Sequence, residues 1–168
     1  LGRSGLWLLD PTDMTITTSA DAFVTGDNPF HPAASGSMLT WATIDGALAN
    51  GNVSVQTTSG YDAGQAGNIT IASAYSYNRA DSLTLNAANN IIVNGAVTNA
   101  GAGGLTMNAG SAGSIAVNQN LTTAGGAVAL NAGSGGVSLA AGRTIDAGSG
   151  TIAIDAGGGS ANFTTGTL

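Results

Sequence analysis

The stretch Leu83-Thr84-Leu85-Asn86-Ala87 decides the fold, because the chain repeats it at a nearly fixed interval. The later copies are Leu105-Thr106-Met107-Asn108-Ala109, Val128-Ala129-Leu130-Asn131-Ala132 and Ile152-Ala153-Ile154-Asp155-Ala156. The steps between copies are 22, 23 and 24 residues. A period of this size is typical of stacked structural units, none of which buries its own apolar face alone. The repeat therefore predicts a solenoid.

Two further columns of apolar residues run through the same repeats. The second column is Ile91-Ile92-Val93, Ile115-Ala116-Val117 and Val137-Ser138-Leu139, and the third is marked by Val97, Leu121 and Ile145. Apolar residues alternate with small polar ones, which is the pattern of a half-buried strand. Gly, Asn and Ala-Gly clusters separate the columns, as turns require. Three strands per 22–24 residues predict an all-β chain in which each repeat is one coil of a parallel β-helix.

One register position, directly after the first strand of each coil, carries a side-chain amide or carboxylate. The residues are Asn86, Asn108, Asn131 and Asp155. Asn tolerates the left-handed backbone conformation of a corner, and stacked amides hydrogen-bond to one another as a ladder. We interpret these residues as a structural corner ladder rather than as ligand-binding residues.

The first half of the chain is less regular than the second. We treat residues 1–168 as one β-helix domain, with irregular coils in residues 1–80 and regular coils in residues 81–168. Loop insertions are predicted at about residues 18–40 and 59–81. The first of these stretches is rich in Pro and Gly and too polar and broken for a regular element.

The spacing of apolar runs places the irregular strands. Strands are predicted at Leu6 to Leu9, Met14 to Ile16, Val53 to Val55 and Ile69 to Ile71. The step from Val53 to Leu83 is 30 residues, so this coil holds an insertion, at Ser59 to Gly67 or at Tyr75 to Asp81. Thr43 to Ala49 is predicted to be a short helix that stops before Gly51.

The charge of the chain excludes several classes of partner. There is no Cys and no Lys, three Arg stand against nine Asp, and the net charge is -6. A nucleic-acid-binding protein needs Lys and Arg to displace counterions, so we expect no nucleic-acid partner. No apolar run reaches the 18 residues of a membrane span, so we expect no membrane insertion.

Aromatic residues concentrate in the first half and supply the candidate ligand contacts. Trp41, Tyr61, Tyr75 and Tyr77 precede the regular coils. Aromatic faces suit the apolar faces of sugar rings, so a carbohydrate contact is one interpretation. The other is that these rings cover the insertions and fill space that a narrow core lacks. The sequence leaves both open.

Acidic residues and the single histidine offer no catalytic pattern. Asp10, Asp13, Asp21 and Asp27 fall within eighteen residues, and we interpret them as turn caps, with a weak Ca²⁺ site or a catalytic carboxylate as alternatives. His31 has no ligand-spaced partner, and we expect it in a solvent-exposed loop. We therefore expect no metal, no cofactor and no catalysis.

Two stretches carry a resemblance to a known family. They are Gly5-Leu6-Trp7-Leu8-Leu9-Asp10-Pro11 with Met14-Thr15-Ile16, and Ile44-Asp45-Gly46-Ala47-Leu48-Ala49-Asn50-Gly51-Asn52-Val53-Ser54-Val55-Gln56-Thr57. With the repeats, they resemble large bacterial exoproteins of the filamentous-haemagglutinin type, which are adhesins exported by two-partner secretion. The resemblance implies a right-handed parallel β-helix, export through an outer-membrane secretion partner, and adhesion or biofilm roles. We expect about seven coils. The chain then corresponds to an internal shaft segment.

These arguments lead to three hypotheses on function. The first is an extracellular adhesin shaft on the bacterial cell surface that attaches to a glycan, a receptor or another cell. The alternative is a subunit of an extracellular fibre, because the open strand edges of a β-helix favour end-to-end self-association. A polysaccharide-acting enzyme is a distant third, to be tested by replacing Asp10 or Asp13.

Overall fold

The structure is a computed structural model that describes residues 12–57 and 64–163. Its parallel sheets stack as a β-solenoid of about six turns, with one short helix. This arrangement confirms the predicted fold class, a parallel β-helix. The sequence predicts about seven coils, one more than these residues form, and its predicted strand at Leu6 to Leu9 lies outside them.

Three parallel sheets form the faces of the solenoid. Sheet 1 runs, in spatial order, through β5 (Val53–Gln56), β8 (Leu83–Asn86), β11 (Leu105–Asn108), β14 (Val128–Asn131) and β17 (Ile152–Asp155). Sheet 2 runs through β4 (Ser37–Thr40), β1 (Met14–Thr17), β6 (Ile69–Ile71), β9 (Ile91–Val93), β12 (Ser114–Val117), β15 (Gly136–Leu139) and β18 (Ala161–Asn162). Sheet 3 runs through β7 (Tyr75–Tyr77), β10 (Val97–Asn99), β13 (Leu121–Thr123) and β16 (Ile145–Asp146).

The pairing register confirms the three predicted columns. Vertical pairs are Leu83 with Leu105, Val128 with Ile152, Ile91 with Ile115, and Val97 with Leu121. The inward side chains of the middle coils are buried, and their outward neighbours are small and partly exposed. Each coil therefore buries its aliphatic side chains against the coils above and below, as nearest-neighbour stacking requires.

Close stacking at the corners explains much of the glycine content. A Cβ atom on Gly110 would lie 1.8 Å from the backbone oxygen of Ala88 in the preceding coil. On Gly103 it would lie 2.0 Å from the backbone oxygen of Asp81. Only glycine allows successive coils to approach this closely at these corners.

The long step between Val53 and Leu83 contains one insertion. Residues 57–68 separate β5 from β6, whereas residues 87–90 separate the equivalent strands β8 and β9. The other predicted place, Tyr75 to Asp81, is wrong, because Tyr75–Tyr77 is a regular strand in register with β10. Tyr75 pairs with the aliphatic Val97, but Tyr77 pairs with the polar Asn99, and the two bulky rings hide the match.

The predicted irregular stretch at residues 18–40 is partly regular. It contains β2 (Val24–Thr25) and β3 (His31–Pro32), which pair antiparallel, followed by β4. β4 pairs with β1 on the side opposite β6, so the chain folds back and extends sheet 2 beyond its first coil. The excursion thus closes one end of the solenoid instead of forming a loop on its side.

The predicted helix is present as α1 (Trp41–Leu48). It begins earlier than predicted because Thr40 is its N-cap, and the Thr40 hydroxyl accepts a hydrogen bond from the Thr43 N–H at 3.0 Å. Trp41, Ile44 and Leu48 form its buried face. No helix among the described residues has the length and apolar character to cross a membrane.

Candidate functional site

The N-terminal end of sheet 1 is closed by residues of the excursion. The outer edge of β5 would otherwise present unpaired backbone groups. Phe30 donates its N–H to the Ser54 oxygen and accepts from the Gln56 N–H, both at 2.9 Å. The Asn28 side chain accepts from the Ser54 N–H at 2.9 Å and donates to the Asn52 oxygen at 2.6 Å. These bonds satisfy the edge and block further strand pairing there.

The N-terminal end of sheet 2 is closed in the same way. Ala22 exchanges two backbone hydrogen bonds of 2.9 Å with Met38 on the outer edge of β4. The Asp21 carboxylate accepts from the Thr40 N–H and from the Thr43 hydroxyl. Asp21 thereby joins the edge of β4 to the first turn of α1.

The N-terminal end of sheet 3 is closed by an aromatic stack. The Trp41 ring lies parallel to that of Tyr75, with centroids 5.4 Å apart, and 6.1 Å from the centroid of Tyr77. Its Nε1–H donates to the Ser73 oxygen at 3.0 Å. We call residues 21–48, which bond to the outer edges of sheets 1 and 2 and stack on the tyrosine rings of sheet 3, the N-terminal cap.

This stack corrects the carbohydrate interpretation for two of the aromatic residues, Trp41 and Tyr77. Trp41 has no exposed surface and Tyr77 is 6% exposed, so neither offers a ring face to a sugar. Tyr75 is half-buried and stacked against both. Tyr61 lies outside the described residues. The buried rings of Trp41 and Tyr77 agree with the part of the alternative in which aromatic rings fill space that a narrow core lacks.

A polar cluster borders the stack. The Asp45 carboxylate accepts a hydrogen bond from the Arg79 Nε–H at 2.6 Å, which ties α1 to the residues after β7 and raises the pKa of Arg79. The Tyr77 hydroxyl is buried without a hydrogen-bond partner among the described residues. Burial, and secondarily the charge of Asp45, raise the pKa of Tyr77 to about 12.

The corner ladder is present and has a defined direction. Asn131 donates to Asn108 and Asn108 donates to Asn86, each at 2.7 Å, and Asn86 donates to the Ser54 hydroxyl at 3.1 Å. Asp155 occupies the next register position, opposite Asn131. Its carboxylate has no proton to donate to Asn131, and it accepts from the Gly157 N–H at 2.8 Å. The amide ladder therefore has three rungs and a different fourth.

The clustered acidic residues do not converge on one point. The Asp13 carboxylate accepts from the Asn68 N–H at 2.7 Å, and Asp21 holds the start of α1. Asp27 is exposed, and Asp10 lies outside the described residues. The turn-cap interpretation therefore fits Asp13 and Asp21. His31 is half-buried in β3, which corrects the prediction of a solvent-exposed loop.

Phe23 is an exposed aromatic residue that the sequence analysis does not single out. It is 61% exposed, and it is the exposed large apolar side chain of the described residues. Its φ angle is 52°, a left-handed conformation that bulky residues rarely adopt. Its carbonyl accepts from the Ser37 hydroxyl at 2.6 Å and from the Ala33 N–H at 2.7 Å, and these bonds hold the backbone in place.

A cleft opens on the cap between the end of α1 and the chain before Phe30. Its volume is about 270 Å³. Its walls are formed by Asp27, Asn28, Ala47, Asn50, Gly51 and Asn52. The lining thus combines one carboxylate and three amides with a methyl group and a glycine.

The C-terminal end differs from the capped end. β16, β17 and β18 are the last strands of their sheets, and no described residue pairs with their outer edges. Ile152 and Ile154 are only partly buried, whereas their counterparts in the preceding coil, Val128 and Leu130, are fully buried.

No group of three or more metal-ligating side chains occurs within residues 12–57 and 64–163. Comparison of the chain with protein-family models, curated proteins and solved structures gives no match.

Proposed function

We propose that this chain is an attachment protein of the bacterial cell surface, a non-catalytic β-helix shaft that acts outside the cell. The resemblance of its sequence to filamentous-haemagglutinin-type adhesins supports this proposal. So does the small, weakly charged outer surface of the coils, which suits a stiff spacer better than a catalytic scaffold. An outer-membrane secretion partner follows from the same resemblance.

The observation that carries the proposal is the exposed, strained Phe23. A non-glycine residue in the left-handed region destabilises the folded state by about 1 kcal/mol or more. Burial of the Phe23 ring offsets little of this, because the ring is mostly exposed. Such a residue, placed on a loop above a rigid scaffold, is typical of a contact surface. We assign Phe23 to the contact with the attachment partner.

A bead-attachment assay tests this function. Beads carrying the chain are applied to epithelial cells, to an extracellular-matrix coat and to a layer of bacteria, beside beads carrying an unrelated acidic protein of similar size. We expect several-fold more attached beads on at least one surface, and most of this excess lost with Phe23→Ala. Phe23→Gly should lose attachment equally while stabilising the fold by about 1 kcal/mol, because it relieves the left-handed strain. Background attachment on all three surfaces would contradict the proposal.

The N-terminal cap argues against the fibre alternative. Head-to-tail stacking pairs the C-terminal edges of one copy with the N-terminal edges of the next. Here the edges of β5 and β4 are already hydrogen-bonded to residues of the cap. We therefore expect the chain to sediment without filaments. Filaments of the unmodified chain would instead favour the fibre alternative.

A further inference from the structure

The cleft beside α1 has a rigid wall. The amide of Asn28, on one side, is held by its two hydrogen bonds to the edge of β5. Asn52, another lining residue, accepts from the Ser82 N–H at 2.8 Å through Oδ1. Asn50 donates through Nδ2 to the Gly46 oxygen at 3.1 Å, across the end of the helix. These bonds fix the amides before any ligand arrives, which lowers the entropy lost on binding.

The same bonds define which polar atoms remain for a ligand. Asn52 keeps its NH₂ group as a donor, and Asn50 keeps its Oδ1 as an acceptor. Asp27 offers two carboxylate oxygens, to which no described residue donates a hydrogen bond. Ala47 and Gly51 add a small apolar surface between these polar groups. The cleft therefore presents more acceptors than donors around a short apolar surface.

This arrangement selects a ligand class. A ligand must supply several O–H or N–H donors and at least one acceptor, and it must carry no negative charge, because Asp27 lies in the cleft and no cationic side chain lines it. Hydroxyl groups that donate to a carboxylate form strong, charge-assisted hydrogen bonds. The volume of about 270 Å³ lies near the lower limit of small-molecule sites, which suits one ring.

We propose that this cleft binds a single uncharged sugar ring, with its hydroxyls donating to Asp27 and Asn50 and accepting from Asn52. The proposal rests on the proposed attachment function and gives it a ligand class. It also moves the carbohydrate contact from the buried aromatic residues to a polar cleft, and it excludes acidic polysaccharides as ligands of this site.

Titration by two-dimensional NMR tests the proposal on the free chain. The probes are galactose, glucose, mannose and fucose, with glucuronic acid as the acidic comparison. We expect at least one neutral sugar to shift the side-chain amide signals of Asn28, Asn50 and Asn52 with a Kd of about 1–10 mM, and glucuronic acid to shift none of them.

Two matched variants locate the binding. Asp27→Asn should weaken the neutral sugar about tenfold, because it removes the charged acceptor and keeps the size of the side chain. Asp146→Asn removes the same charge from β16, outside the cleft, and should leave the Kd unchanged. Equal binding of glucuronic acid, shifts confined to other residues, no shifts with any sugar, or an unaffected Asp27→Asn variant would overturn the proposal. The titration uses no cells, so a negative titration overturns the sugar site without deciding the attachment function. Background bead attachment overturns the attachment function without deciding whether the cleft binds a sugar.

Discussion

The two ends of the solenoid differ in how their outer strand edges and apolar side chains are covered. At the N-terminal end, the cap covers the edges of two sheets with backbone and side-chain hydrogen bonds and stacks Trp41 on the tyrosine rings of the third. At the C-terminal end, β17 repeats the pattern of the preceding coils but leaves Ile152 and Ile154 partly exposed. A repeat can extend a stack, but its own pattern contains nothing that ends one. Termination requires a segment that breaks the repeat, and here residues 21–48 supply it.

A matched pair of isoleucines gives the largest expected difference between the ends. Ile44 in α1 has no exposed surface, and Ile152 in β17 is partly exposed. Ile44→Ala should lower the free energy of unfolding by about 2–5 kcal/mol, because it opens a cavity in a closed core. Ile152→Ala should lower it by about 1–2 kcal/mol, because the side chain of Ile152 buries less apolar surface on folding than that of Ile44. Urea unfolding followed by circular dichroism measures both, and equal losses would mean that the cap is not a packed core.

A pair of glycines separates coil stacking from the cap helix. Gly110→Ala places a methyl group against the Ala88 oxygen and should destabilise the fold by about 1–3 kcal/mol. Gly46→Ala is an exposed helical position with no atom within 4 Å of the added carbon. It should stabilise the fold by about 0.5–1 kcal/mol through helix propensity. Thermal unfolding tests the pair, and tolerance of Gly110→Ala would contradict the close approach of the coils.

The buried Tyr77 hydroxyl predicts a pH dependence of the cap. A pKa raised from 10.0 to about 12 means that the folded state favours the protonated phenol. Titration of Tyr77 therefore leaves the free energy of unfolding unchanged below pH 10 and lowers it as the pH rises from 10 through about 12. Tyr77→Phe should remove this loss and add about 1 kcal/mol at neutral pH, since it deletes a buried hydroxyl without a partner. Unfolding at pH 7 and pH 11 compares the two proteins, and parallel losses at pH 11 would exclude Tyr77 as the cause.

The smallest expected effect comes from extending the corner ladder to β17. Asp155→Asn supplies the missing donor to Asn131 and keeps an acceptor for the Gly157 N–H. A gain of about 0.5–1 kcal/mol is expected from the added hydrogen bond. Asp146→Asn is the control, because Asp146 makes the same turn contact with the Gly148 N–H and has no amide above it. If both variants gain equally, the cause is reduced charge repulsion and not the ladder.

The regular coils were predictable from sequence because every column recurs. Leu105 occupies the same position of the repeat as Leu83 and Val128, so the alternation of apolar and polar residues that predicts a strand recurs in each coil. The cap was not predictable, because its contacts join segments distant in sequence and occur once. Asn28 pairs with Ser54, and Trp41 with Ser73, without any periodic signal.

The candidate site shows the same limit. Aromatic residues before the coils were expected either to contact sugars or to cover insertions, and the choice depended on burial, which composition does not give. Trp41 is the first residue of a helix and is fully buried, while Phe23 lies on a segment held in a left-handed conformation and is exposed. The cleft arises from α1 meeting the chain before Phe30, which no local pattern encodes.

Hydrogen exchange measured by mass spectrometry compares the strands next to the N-terminal cap with β16, β17 and β18, whose outer edges pair with no described residue. We expect slow exchange in β5 and β8 next to the cap and a progressive loss of protection toward β17 and β18. Protection that is equal at both ends, or faster exchange in β5 than in β17, would contradict this expectation.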